Sequence, residues 1–224
     1  MLYLLSAEHI KQWDAYTIQH EPVASIDLME RASSAFADWF TQRFNSKISV
    51  GVVCGTGNNG GDGLAVARIL SWMQYPVTVW VVRANNKETP DFASNLKRLP
   101  EGVERIEVTT INSISFTNCD LLIDALFGSG LNRPPEGLYA DVIHKMNEAK
   151  AIRVAVDVPS GLFIDSPTTG FTVKAHHTVS FQTPKLAFLL PQNTKSVGEW
   201  HIVNIGLSRQ FRNEVKTDYH YVEK

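Results

Sequence analysis

Cysteine is scarce: the 224 residues include two, Cys54 and Cys119, in apolar stretches with no CxxC spacing and no His/Cys cluster. That excludes a disulfide framework and a thiolate zinc site, and it points to two reduced structural thiols. Clustered basic charge is missing too. Lys and Arg number 21 against 23 Asp and Glu, a net charge of −2, so the chain lacks the positive surface that counterion release from nucleic acid requires. No apolar run approaches the ~20 residues of a membrane span. The apolar start at residues 1–5 is far shorter than a signal-peptide core and has no basic flank. A cytoplasmic protein with neither membrane nor nucleic-acid partners is expected. Repeats, low-complexity tracts and internal linkers are absent as well. What is there, 44% hydrophobic and 20% charged residues, suits one large globular domain with a full core.

Apolar periodicity places two helices first. Ser6 caps one whose buried face carries Ile10, Trp13 and Thr17, and Glu21-Pro22 ends it. Ser25 or Asp27 caps the next, with Leu28, Ala32, Ala35, Phe36 and Trp39 at helical spacing. Strands and helices then alternate. Strands are expected over residues 48–54, 77–82, 105–108, 121–126, 152–158, 177–181 and 199–204, with helices over 64–73, from Thr89-Pro90-Asp91 onward, and over 138–149. Continuous apolar strands such as Leu121-Leu122-Ile123 and Val154-Ala155-Val156 require cover on both faces. The fold class is therefore α/β, a Rossmann-like three-layer α/β/α sandwich with a mainly parallel central sheet. Trp13, Trp39, Trp72, Trp80 and Trp200 fall at core periodicities, and His176-His177 has no acidic or nucleophilic partner at a recognisable spacing.

Three polar segments lie just past strand ends, where open α/β sheets bind ligands. Five of the nine residues from Gly55 to Gly63 are glycine. They allow backbone N–H groups to approach a phosphate at a helix N-terminus; no Gly-Lys-Ser/Thr follows, so the loop is not a Walker A motif. The second segment, Asp124 to Pro134, combines a carboxylate at a strand end, a Gly-Ser-Gly turn and Arg133. Such a set supplies a cation ligand, amides and a fixed positive charge, or else a turn cap and a solvated arginine. The third, Asp157-Val158-Pro159-Ser160-Gly161, ends an apolar strand on an acid. Desolvating it is costly without hydrogen bonds, a cation or a catalytic task.

Together these residues resemble the YjeF amino-terminal domain family, the NAD(P)H-hydrate epimerases. The resemblance runs from the opening helices through Gly-x-Gly-Asn-Asn-Gly-Gly-Asp-Gly, Asp-x-x-Phe-Gly-Ser-Gly-Leu-Asn-Arg, Asp-Val-Pro-Ser-Gly and Thr-Pro-Lys to about Gly206. The Asn-Asn-Gly-Gly-Asp-Gly string carries most of the specificity, because a plain pyrophosphate loop needs neither the paired Asn nor the Asp. The resemblance implies interconversion of the R and S forms of NADH and NADPH hydrated at C6 of the ring. By the same resemblance, Asn58, Asn59, Gly60, Gly61, Asp62, Gly128, Ser129, Gly130, Leu131, Asn132, Arg133, Pro134 and Tyr139 hold substrate. Asp157 contacts it near the reacting ring, and Asn59, Asp124 and Ser160 bind a potassium ion.

That chemistry suits the residues. C6 of the hydrate is a carbinolamine carbon, so the ring nitrogen can expel the hydroxyl and water can return from either face. A group must protonate the departing hydroxyl and deprotonate the incoming water, a role for Asp157 if its surroundings raise its pKa. Lys185, in Gln182-Thr183-Pro184-Lys185, is a second catalytic candidate that adds positive charge beside the phosphates or tunes Asp157, or else it is a solvated lysine after a turn. Two other readings stand beside the epimerase. One is an NADP-dependent oxidoreductase with Arg83 placed for a 2′-phosphate, the other a non-catalytic nucleotide-binding or dimerisation module. Residues 1–206 form the expected domain, and 207–224 read as a polar tail or linker. The resemblance adds an ADP- or ATP-dependent dehydratase as partner, on the same full-length chain or separate, and a homodimer is the expected assembly.

Overall fold

The computed structural model describes residues 2–85 and 87–222. In chain order its elements are β1 (Leu2–Tyr3), α1 (Ala7–His20), α2 (Ser25–Thr41), β2 (Val50–Cys54), α3 (Asn58–Trp72), β3 (Val77–Val82), α4 (Pro90–Arg98) and β4 (Glu104–Val108). Then come β5 (Leu121–Ala125), α5 (Leu138–Glu148), β6 (Ile152–Val156), β7 (His177–Phe181), α6 (Thr194–Val197), β8 (Glu199–Val203), α7 (Arg209–Glu214) and β9 (His220–Tyr221). Strands β2 to β8 form a seven-stranded sheet in the order β4-β3-β2-β5-β6-β7-β8. Every neighbouring pair in it is parallel. The chain winds outward from β2 to β4, returns beside β2 as β5, and winds out the other way to β8. Loops leaving β2 and β5 therefore diverge, and a crevice opens between them at the carboxyl ends of the strands.

Strand alternation sorts the apolar residues into two layers. Val50, Val52, Cys54, Leu121, Ile123 and Ala125 meet Phe36, Phe40, Leu64, Leu70 and Phe92 of α2, α3 and α4. Val53 and Leu122 point the opposite way, onto Trp80 and onto Val142, Ile143 and Met146 of α5. Both faces are buried, which is why the strands read as unbroken apolar runs. Cys54 and Cys119 are free thiols, as expected.

Local signals hold at two helix starts. Ser6 Oγ accepts from His9 N at 3.2 Å and Thr89 Oγ1 from Phe92 N at 3.4 Å, with Pro90 opening α4. They mislead elsewhere. α2 starts from Ala24 without a side-chain cap, and Ser25 Oγ donates instead to Asp91 at 2.6 Å. α3 begins at Asn58 rather than Leu64, because its glycines press the first turn into the sheet: a Cβ on Gly60 would collide with the Gly55 carbonyl. Trp72 is 61% exposed under the Arg68 guanidinium, so it is not a core residue.

Residues 207–222, expected to be a polar tail or linker, fold back on the domain. Trp13 Nε1 donates to the Ser208 carbonyl at 2.8 Å, Phe211 stacks on Trp13, and Thr217 Oγ1 donates to the Leu4 carbonyl at 2.7 Å. β9 pairs antiparallel with β1. Leu207, Phe211 and Val215, scattered among charges in the sequence, meet in one cluster with Trp13 and Leu28. No helix among the described residues is long and apolar enough to cross a membrane.

Candidate active site

The crevice between the loops after β2 and β5 is a cleft of about 790 Å³. The start of α3 forms one wall with Asn58, Asn59 and Asp62, and the turn from Gly128 to Asn132 forms the next, with Tyr139 behind it. Asp157, Gln182, Thr183 and Lys185 close the far side, and α1 covers it with Trp13 and Asp14. A second cleft of about 750 Å³ opens at the other end of the sheet, lined by residues such as Ser49, Thr78 and Cys119, and takes in none of the expected site residues.

The first turn of α3 carries N–H groups without intrahelical partners and the positive end of the helix dipole, so it suits an anion. Not every glycine there serves a ligand. Gly57 has open space where a Cβ would sit, whereas a Cβ on Gly61 would come within 2.8 Å of Met29 Sδ. Gly60 and Gly61 thus admit the protein's own chain, and neither lines the cleft. Arg133 is exposed and Pro134 packs toward Gly170, both outside the cleft lining, because the chain turns away after Asn132. Arg83 is engaged by Glu107 at 2.8 Å and Glu88 at 2.9 Å, which leaves no free guanidinium for a 2′-phosphate.

Asp157 follows β6 in the left-handed region, with φ 63°, a conformation costing a non-glycine residue about 1 kcal/mol or more and concentrated at functional sites. Its N–H donates to the Val179 carbonyl at 2.9 Å, which fixes the bend. Oδ1 accepts from Ser180 Oγ and from Phe181 N, each at 3.1 Å, and pairs with Lys185 Nζ at 2.8 Å. Lys185 is 1% exposed. Its ammonium also donates to the Phe181 and Thr183 carbonyls at 3.0 and 3.1 Å, so all three donors are used. Of the readings open for Lys185, the solvated one is overturned.

Beneath the turn, Asp124 and Ser160 are completely buried. Ser160 donates through N to Asp124 Oδ2 at 2.7 Å and through Oγ to Oδ1 at 2.6 Å, and Ser160 Oγ accepts from Phe127 N at 2.9 Å. These bonds clamp the loop after β6 to the loop after β5. Burial pushes the Asp124 carboxyl up to about 6 against the lowering effect of the Ser160 and Leu126 hydrogen bonds. Asn59 lies against Gly128, and its buried Nδ2 has no partner. The donor types fit a hard cation: turned over, the orphaned Asn59 amide offers oxygen, and amide, carboxylate and hydroxyl make an all-oxygen set.

Asp14 was not legible as a site residue. It occupies the same face of α1 as Ile10, Trp13 and Thr17, and an acid in a buried stripe was the available signal. Burial, then the Asp157 charge, raises its carboxyl to about 6 against the opposing pull of Lys185. Asp62 is raised well above the usual range by burial and by Asp157, Asp14 and Asp91. His177, expected to lack a partner, has Glu199 3.6 Å away, with His201 3.5 Å from the same carboxylate. That group lies at the opposite ends of β7 and β8 from the cleft, and the Arg43 charge bears on His201.

Known proteins match the chain over most of its length. A yeast protein, ynu0 (YNL200c), superposes with a TM-score of 0.80 over 99% of this chain and 97% of its own at 20% identity, a likeness of fold. The NAD(P)H-hydrate epimerase of Levilactobacillus brevis is 36% identical over 91% of this chain and 94% of its own. That of Rhodopirellula baltica is 31% identical over 92% and 87%. The bifunctional NAD(P)H-hydrate repair enzyme Nnr of Thermofilum pendens is 35% identical over 89% of this chain, which spans 39% of that enzyme's length. With the model of the YjeF-related protein N-terminus matching residues 25–187 as well, the chain belongs to that family.

Proposed function

We propose that this chain is an isomerase, an NAD(P)H-hydrate epimerase that interconverts the R and S hydrates of NADH and NADPH. The observation that carries the reading is a conjunction in one cleft: a helix N-terminus suited to phosphate opens beside the buried Asp157–Lys185 pair. The epimerases among the relatives, matched over nearly their full length, support it.

The first turn of α3 and the turn from Gly128 to Asn132 receive the dinucleotide, its pyrophosphate on the α3 amides. Asp62 offers acceptor oxygens to hydroxyl groups, and Tyr139 gives an aromatic wall. The nicotinamide ring lies toward Asp157. When the C6 hydroxyl leaves, positive charge develops on the ring nitrogen, and the Asp157 carboxylate, held in place by Lys185, opposes it. The carboxyl side of the cleft supplies a proton to the hydroxyl and accepts one from the returning water. Electrons move only between the C6–O bond and the ring nitrogen, so there is no redox change. Asn59, Asp124 and Ser160 would hold potassium, which would balance the buried Asp124 charge and fix the two loops it joins.

A repair dehydratase that accepts one epimer and uses ADP or ATP is the partner that consumes the product. Incubating one purified hydrate epimer with the protein, then separating the epimers by chiral chromatography, tests the reading. A free oxidoreductase would instead change the absorbance of reduced nicotinamide when given cofactor and substrate.

A further inference from the structure

Epimerisation needs a group that holds a proton when the hydroxyl departs and can take one back when water returns. Asp157 is poorly placed to do this alone. Its Oδ1 already accepts from an ammonium, a hydroxyl and a backbone N–H, so only Oδ2 is left to take a proton, and taking it would weaken the pairing with Lys185. Asp14 differs. It lines the same cleft from α1, is half-buried between Trp13 and Thr17, and its carboxyl makes no hydrogen bond or ion pair among the described residues. The groups facing it are Asp157 past β6, Lys185 past β7 and Asp62 on α3, with Tyr139 on the opposite wall and Glu8 and Lys11 on its own helix. Three carboxyls therefore share one buried ammonium, and the ammonium is committed to Asp157. When carboxyls crowd around too little positive charge, one with a partner ionises and another keeps its proton.

Resting on the epimerase reading above, we propose that Asp14 is a catalytic residue, the proton carrier of the reaction, while Asp157 with Lys185 is the fixed negative charge that opposes the ring cation. In the forward step the Asp14 O–H bond breaks and its proton joins the C6 hydroxyl. The C6–O bond breaks, water leaves, the nitrogen lone pair forms the C=N bond, and Asp14 is left as carboxylate. In the return step water adds to C6 on the other face, the C=N pair goes back to nitrogen, and the proton released returns to Asp14. Atoms and electrons balance without a co-reactant. Burial and the Asp157 charge put Asp14 near 6, in the range where a carboxyl both gives and regains a proton near neutrality.

The test is a pH series of single-epimer conversion, corrected for the spontaneous rate, for wild type, Asp14→Asn, Asp14→Glu and Asp62→Asn. Wild type should lose kcat/KM as pH rises above about 6, tenfold per unit at the limit. Asp14→Asn should lose about 10²–10⁴-fold in kcat with KM within a few-fold, and should lack that limb. Asp14→Glu should recover part of the rate with a limb, and Asp62→Asn should keep the limb. A purely structural role predicts no rescue by Glu and an unchanged pH profile in whatever activity Asn retains. An Asp14→Asn enzyme with near-wild-type kcat and profile overturns the proposal and leaves the epimerase reading standing. A wild type that converts no epimer beyond the spontaneous rate overturns both. Should Asp14→Asn not fold, the wild-type limb and the Asp14→Glu shift decide, and a flat wild-type profile counts against Asp14.

Discussion

Replacing Lys185 by Met should be among the most damaging single changes in the cleft. The ammonium makes three contacts, at 2.8 Å to Asp157, 3.0 Å to the Phe181 carbonyl and 3.1 Å to the Thr183 carbonyl, and the side chain is 1% exposed. Methionine fills most of the volume, so little of the effect is packing. What it leaves is a buried carboxylate without its counter-charge and two carbonyls short of a donor. Removing one member of a buried pair costs about 3–5 kcal/mol, far above the ~0–1 kcal/mol of a surface pair. The companion variant is Asp157→Asn, since Asn tolerates the left-handed backbone at that position. In urea unfolding the double variant should lose far less stability than the two singles added together, and that shortfall is the coupling energy of the pair. A Lys185→Met loss under about 1 kcal/mol, or strict additivity in the cycle, would refute the buried pair as the prop of this wall.

Further outcomes follow from other parts of the molecule. Asp157→Asn should keep the dinucleotide bound and lose most epimerisation, read by comparing titrated binding with turnover; near-native turnover would remove Asp157 from the chemistry. Potassium at tenfold its Kd should stabilise the wild type by about 1.4 kcal/mol over tetramethylammonium, a few degrees in Tm, and Asp124→Ala should abolish the difference; equal responses in both proteins would count against a cation there. Because burial raises Asp124 to about 6 when folded, the native state binds more protons than the unfolded one below that pH. The carboxylate thus costs stability above about 6 and costs none once the pH has fallen below its unfolded value. In tetramethylammonium the Tm of Asp124→Asn relative to wild type should therefore climb from pH 5 to pH 8, and a fall would contradict the sign. Phe211→Ala should cost roughly 2 kcal/mol by exposing the Trp13 ring, and no change in a thermal melt would restore the tail to a loose linker.

The sheet was legible because its signal is collective. Leu121-Leu122-Ile123 and Val154-Ala155-Val156 each carry apolar residues to both faces, and strand–helix alternation then fixes a parallel sandwich. Boundaries set by packing were not: α3 reaches back to Asn58 because its glycines fit against Gly55 and Met29, a tertiary reason with no local mark. The tail misled for a related cause. Leu207, Phe211 and Val215 are too sparse to announce a core, and they matter only because Trp13 waits for them 195 residues away from Ser208. Among the dense-motif segments, Asp157 and Lys185 pair in the cleft wall, and Asp124 and Ser160 pair beneath it. Asp14, the acid in the Ile10, Trp13 and Thr17 stripe, acquires a role only when the fold lays α1 across the cleft.

Whether this cleft epimerises hydrated nicotinamide dinucleotides is decided by one measurement. A single hydrate epimer is incubated with the purified wild-type chain and sampled by chiral chromatography, with the absorbance of reduced nicotinamide followed in parallel. Epimerisation in this cleft means rapid approach to a mixture of both epimers with no change in that absorbance, and Asp157→Asn near the spontaneous rate. A wild-type chain that leaves the epimer converting at the spontaneous rate would contradict it.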